Sequence, residues 1–176
     1  TRNEYGRDID KDTKYAMTLM KMAADKGYST AMVDYGLHLL NGQNITKNEK
    51  EAKNWFHAAA MKEDPWGMLW YYIMSKNDDD KSDDLDQFLI KSCESNQVFE
   101  SWSVYGRILI EQGNIEEAMN FLFPACQSGS ISAYLALAEY YEENPTAGYD
   151  TQFYYEMASN FCHCLDSVGF TTPIQY

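Results

Sequence analysis

Residues 16–36 read AMTLMKMAADKGYSTAMVDYG, and the spacing inside this stretch decides the fold. Ala16, Leu19, Met20, Ala23 and Ala24 stand at i, i+3, i+4, i+7 and i+8, the stripe that falls on one face of an α-helix. Past Gly27 a second stripe follows, Ala31, Tyr35, Gly36 and Leu39. Working outward, the first stripe returns as Ala52, Trp55, Phe56, Ala59, Ala60 and as Leu85, Phe88, Leu89, Ser92, Cys93. It returns again as Ala118, Phe121, Leu122, Ala125, Cys126 and last as Tyr154, Met157, Ala158, Phe161, Cys162. The starting positions are 36, 33, 33 and 36 residues apart. Between these copies the second stripe returns as Gly67, Tyr71, Tyr72, Ser75, as Ser101, Tyr105, Gly106, Leu109, and as Ala133, Leu137, Ala138, Tyr141. A single helix pair cannot bury both of its stripes, so such units must stack on one another.

The pattern predicts an all-α fold, an alpha-alpha superhelix or solenoid of about four to five helix-pair repeats. Residues 1–176 read as one repeat domain with units near 13–46, 47–82, 83–114 and 115–148 and a terminal helix near 149–170. Gly6, Ile9, Asp12 and Ala16 repeat the spacing of Gly42, Ile45, Asn48 and Ala52. The chain is therefore expected to open on the tail of an earlier unit, as a piece of a longer repeat protein. Pro65, Pro145 and Pro173 fall near predicted helix ends, while Pro124 lies inside a helix and is expected to kink it.

A net charge of −13 and a pI near 4.5 argue against duplex nucleic acid or an anionic membrane as the main partner, since phosphate binding needs clustered Lys and Arg. A protein or peptide partner, basic if charged, suits the balance better. No apolar run approaches the roughly 20 residues that span a bilayer, and residues 1–20 carry no signal-peptide pattern. No glycine-rich phosphate loop occurs, and no cofactor is expected.

The four cysteines read first through their register. Cys93, Cys126 and Cys162 fill the slot of Ala24 and Ala60, where a thiol serves as a slightly larger alanine. Interhelix disulfides are the alternative. Cys162, His163 and Cys164 are dense but diverge around a helix, so they cannot converge on one metal unless the helix has ended first. Cys164 lies off the stripe and is the expected exposed thiol. His38 stands alone, and His57 corresponds to Lys21 on an outward side. The run Asn77 to Asp84 lacks the glycine and closing glutamate of a calcium loop and reads as a solvated connector ending in a helix cap. Asn44, Ile45 and Thr46 form a glycosylation sequon that matters only in a secretory compartment.

The quoted stretch resembles the Sel-one-like repeat of the tetratricopeptide superfamily. The resemblance rests on Ala23, Ala24 and Gly27, on Ala31, on Tyr35 and Gly36, and on the linker Gly42, Ile45, Asn48, Ala52 ahead of Trp55 and Phe56. Ala125, Cys126, Gly129, Ala133, Leu137 and Ala138 repeat it 102 residues on. The middle copies depart. Glu63 and Asn96 replace the glycine and Tyr72 replaces Gly36, so wider or differently angled packing is expected there.

The resemblance implies an interaction scaffold whose groove is lined by one helix of each pair. Its geometry puts Thr30, Val33, Leu37 and Leu40, then Trp66, Leu69, Ile73 and Lys76, on the concave face. Glu100, Ser103, Arg107 and Ile110, then Ser132, Leu135, Glu139 and Glu142, continue it. The first half is apolar with Trp66 as anchor, and the second is acidic around Arg107. The expected function is non-enzymatic binding of a protein segment. The alternatives are self-association through an exposed repeat end, a thiol hydrolase using Cys164, and a disulfide-stapled secreted repeat protein, for which the chain lacks paired cysteines in each unit.

Overall fold

The computed structural model describes residues 4–77, 85–145 and 151–167, with side chains over 12–76, 85–145 and 151–160. The chain divides into two compact units, Thr1–Ser95 and Asn96–Tyr176. The division falls inside the third helix pair expected from the sequence. Among the described residues there is no strand. The first unit holds α1 (Glu4–Asp25), α2 (Ser29–Asn41), α3 (Glu49–Ala60), α4 (Pro65–Asn77) and α5 (Leu85–Glu94). The second holds α6 (Phe99–Glu111), α7 (Ile115–Gln127), α8 (Ile131–Glu143) and α9 (Thr151–Ser167). Within each unit every helix packs on its neighbour in sequence; in addition α2 touches α4, and α6 touches α8.

The two stripes are the core from α2 onward; in α1 only Ala24 of the first stripe is buried, while Ala16 and Leu19 are exposed. Ala52, Phe56, Ala59 and Ala60 of α3 are buried, as are Leu85, Leu89, Ser92 and Cys93 of α5 and Ala118, Leu122, Ala125 and Cys126 of α7. A fully buried Phe or Leu side chain contributes about 1.5–3 kcal/mol over an exposed one. The small residues sit where helices close on each other. A Cβ on Gly36 would lie 2.7 Å from the Phe56 ring, and one on Gly106 would lie 2.6 Å from Leu122. The preceding tyrosines repeat one edge-on contact: Tyr35 on Trp55 at 5.7 Å, Tyr71 on Phe88 at 5.4 Å and Tyr105 on Phe121 at 5.0 Å between ring centroids.

Caps and turns set the boundaries. Asn48 accepts from the Glu51 backbone N–H at 3.1 Å and donates through its amide to the Glu51 carboxylate at 3.0 Å, closing the start of α3. Asp64 accepts from the Gly67 N–H at 3.0 Å at the start of α4. At the other ends, Gly27 and Gly129 take φ +93° and +82°. Glu63 and Asn96, which replace that glycine, take φ +60° and +54°. The same turn bond persists, with the Asp64 N–H reaching the Ala59 carbonyl at 3.2 Å as the Ser130 N–H reaches that of Ala125 at 3.0 Å. The substitutions thus strain the turn instead of abolishing it, because an L side chain in the left-handed region costs roughly 1–2 kcal/mol.

One expectation meets a different local structure. Gly42 and Asn44 turn the chain at φ +67° and +63° before α3, whereas α1 runs unbroken through Gly6, Ile9 and Asp12. The shared spacing therefore marks no linker there. Helix α7 continues through Pro124 to Gln127, since a proline this close to the C-terminus forgoes one bond, to the Asn120 carbonyl, and little helix follows it.

Candidate functional site

The groove positions separate into core and surface once each unit is folded. In the first unit Val33 and Leu69 are buried, Leu69 to 1% exposure. They are corrections to the expected binding face: α2 packs on α1, α3 and α4 at once, which encloses a residue two positions before Tyr35 or Tyr71. Leu37, Leu40 and Ile73 are half-buried, and Thr30 is exposed. Trp66, in the first turn of α4, is 40% exposed. Lys76 is exposed, pairs with Asp86 at 3.3 Å and lies 5.5 Å over the Tyr72 ring.

In the second unit Ser103 and Ser132 are likewise buried. Ser103 donates to the Phe99 carbonyl or shares a hydrogen bond with Ser130 at 2.8 Å, so its hydroxyl serves the α6–α8 seam. Ile110 and Leu135 are half-buried. Arg107 of α6 bridges to Glu139 of α8 at 3.0 Å, with both side chains well hydrated. Such an exposed pair is worth about 0–1 kcal/mol, so it orients the two groups more than it stabilises the fold. The Tyr155 hydroxyl of α9 donates to the Glu142 carboxylate at 2.7 Å, and that bond raises the Tyr155 pKa above its ordinary value. Burial pushes the Glu100 carboxyl up, against a smaller lowering by a backbone hydrogen bond. Tyr155 escaped the sequence reading because only the packing of α9 on α8 brings it to Glu142.

Charge is distributed unequally between the units. Of the 14 Lys and Arg residues in the sequence, only Arg107 lies among residues 96–176, beside ten Asp and Glu. The exposed Glu139, Glu142 and Glu143 of α8 are part of this excess. A surface so charged attracts basic segments and repels acidic ones over about a Debye length.

The described thiols take no part in such a surface. Cys93 and Cys126 are buried and form no disulfide, in the alanine slot expected for them. Burial pushes both thiols up to about 12, helped at Cys93 by Glu94, which leaves almost no thiolate near neutral pH. The side chains of Cys162, His163 and Cys164, and residues 78–84 of the acidic run, lie outside the described residues. Among the described residues no three His, Cys, Asp or Glu side chains gather to hold a metal, and no helix is long and apolar enough to cross a membrane. His57 is exposed and stacks at 4.6 Å on Tyr71, and Asn44 is exposed.

Comparison with known proteins agrees with this architecture. The Sel1 repeat matches residues 2–28, 29–64 and 102–130, and leaves the segment containing Tyr72 and Asn96 unmatched. Among solved structures, a Sel1 repeat protein from Oxalobacter formigenes is 20% identical with a TM-score of 0.61, over 84% of this chain and 64% of its own. A protective antigen present in uropathogenic Escherichia coli strains, displaying an SLR fold, is 17% identical with a TM-score of 0.64, over 81% of this chain and 32% of its own. This chain thus spans less than two thirds of the length of either. No curated protein matches it. The likeness to solved structures establishes an all-α helical-repeat solenoid fold, and with three repeats matched over more than half of its residues, the chain belongs to the Sel1 repeat family.

Proposed function

We propose that this chain is a protein-interaction module that docks a basic peptide segment on the α6–α8 face of its second unit. The observation that carries the reading is the charge imbalance: ten acidic residues and one arginine among residues 96–176, with that arginine already engaged by Glu139. Glu139 and Glu142 accept Lys or Arg side chains, and Arg107 meets a carboxylate or carbonyl of the segment. Within the first unit by itself, Leu37, Leu40 and Ile73 are half-buried and Trp66 is an exposed aromatic of the type enriched among energetic anchors, a separate and less polar face. Sel1 repeats generally mediate protein interactions, and nothing in the described residues points to catalysis.

The test is a peptide display screen against the full chain, followed by titration in rising salt. Lys- and Arg-rich sequences are expected to be enriched, with affinity falling as salt rises. A Glu139→Lys, Glu142→Lys double variant should keep its helical circular dichroism and lose those ligands by tenfold or more. Enrichment of acidic or neutral sequences, or affinity that ignores both substitutions, rejects the reading.

A further inference from the structure

Helix pairs α2–α3 and α6–α7 close their connections with the same bond over different lengths. In α6–α7 the Asn114 N–H reaches the Leu109 carbonyl at 2.8 Å, and in α2–α3 the Asn48 N–H reaches the Leu39 carbonyl at 2.9 Å. The partners are five residues apart in the first case and nine in the second, so the α2–α3 linker holds four residues that the closure does not need. The Gln43 N–H pins its near end on the His38 carbonyl at 3.1 Å, and the His38 Nδ1 donates to the Gln43 carbonyl at 3.1 Å. Past that anchor stand Asn44, Ile45 and Thr46. Asn44 takes φ +63°, a region that asparagine tolerates. Ile45 is half-buried, while Asn44 and Thr46 are exposed and neither side chain has a hydrogen-bond partner among the described residues. The asparagine and threonine of the sequon therefore lie in solvent on an added loop, with the isoleucine between them as its foothold.

We propose that Asn44 is an acceptor for an N-linked oligosaccharide, transferred from a lipid-linked pyrophosphate donor when the chain is delivered to a secretory compartment. In the transfer the Asn44 amide nitrogen attacks the anomeric carbon of the sugar. The bond from that carbon to the pyrophosphate oxygen breaks, the lipid pyrophosphate leaves with the electron pair, and the amide gives up one proton. Asn44 is the single asparagine of the sequence followed, after a residue other than proline, by Ser or Thr. Asn144, Pro145 and Thr146 have the same spacing but carry the excluded proline, and the Asn144 amide already donates to the Tyr140 carbonyl at 2.9 Å. The chain thus contains one competent triplet and its own negative control. Whether the sugar arrives before or after folding, its place must lie clear of the core. The four-residue extension meets that need, because the bonds that join α2 to α3 run through Gln43 and Asn48 and leave Asn44 and Thr46 outside them.

Expression of the full chain behind a cleavable secretory leader in cultured animal cells tests this. Intact mass is read before and after peptide-N-glycosidase, on secreted and cell-retained chain alike, so that poor export does not hide the result. The expected product carries one oligosaccharide, and enzymatic removal leaves aspartate at residue 44 alone. Asn44→Gln and Thr46→Ala should each abolish the added mass, while Thr46→Ser, which keeps the hydroxyl, should retain it on a measurable fraction. The glycosylated chain should match the Asn44→Gln variant in helical circular dichroism and thermal midpoint. A wild-type chain without sugar overturns the proposal, as does sugar that persists in Thr46→Ala or maps to Asn144. A glycosylated chain that melts well below its deglycosylated form rejects the placement of the sugar outside the stack.

Discussion

The helix pairs α2–α3 and α4–α5 carry the same register yet fill their seams in opposite ways. In the first, Gly36 lets the helices close until the Phe56 ring occupies the space of a side chain, and Leu39 packs one turn further on. In the second, Tyr72 stands at the glycine position, Leu89 at that of Phe56, and Ser75 at that of Leu39. Bulk has moved by one turn and across the seam with total volume roughly kept, the kind of exchange that cores tolerate. The second solution is less complete. Ser75 is fully buried and its hydroxyl has no partner, and the turn before α4 holds Glu63 in a left-handed conformation. A repeat can therefore lose its signature residues and keep its helices, at a cost in local stability.

Six substitutions probe this contrast by denaturant unfolding. The largest effect is expected from Tyr72→Gly, which empties a buried ring site and should cost about 3–5 kcal/mol. Adding Ser75→Leu should recover part of that loss if the two positions exchange volume, and no recovery would break the comparison. Gly36→Ala should cost about 1–3 kcal/mol, because the new methyl meets Phe56 at 2.7 Å and a ring gives way less easily than a flexible chain. Glu63→Gly should stabilise by about 1 kcal/mol, and Asn96→Gly by less, since asparagine tolerates the left-handed region better. A destabilising Glu63→Gly would show that the glutamate side chain contributes more than its backbone costs. The smallest effect is Ser75→Ala, expected to be neutral or stabilising by up to about 1 kcal/mol through removal of an unsatisfied hydroxyl.

The helices were legible in the sequence because the ladders fix which face is buried, and Ala24, Ala60, Cys93 and Cys126 are buried as that register requires. Left-handed Glu63 and Asn96 were not legible as such. Propensity disfavours Glu63 there and only tolerates Asn96, and the surrounding stack forces the turn upon them. The exposure of the expected groove positions was legible in part. Trp66, Arg107, Glu139 and Glu142 reach the surface as the tetratricopeptide register implies, while Val33 and Leu69 do not. Whether a position just inside the groove is lining or core depends on how closely α2 and α4 approach, and that distance is a property of the stack, not of either helix. The imbalance of charge between residues 1–95 and 96–176 needed the division into units before it acquired meaning.

The concentration of negative charge in the second unit also governs its response to the medium. Ten carboxylates with one guanidinium gather a cloud of sodium or potassium ions, and compaction of the unit works against their mutual repulsion. Added electrolyte weakens the Arg107–Glu139 bridge slightly and relieves the repulsion among the rest. Dilute buffer is thus the more demanding environment for this unit, and magnesium or polyamines, as multivalent counterions, are its natural compensators.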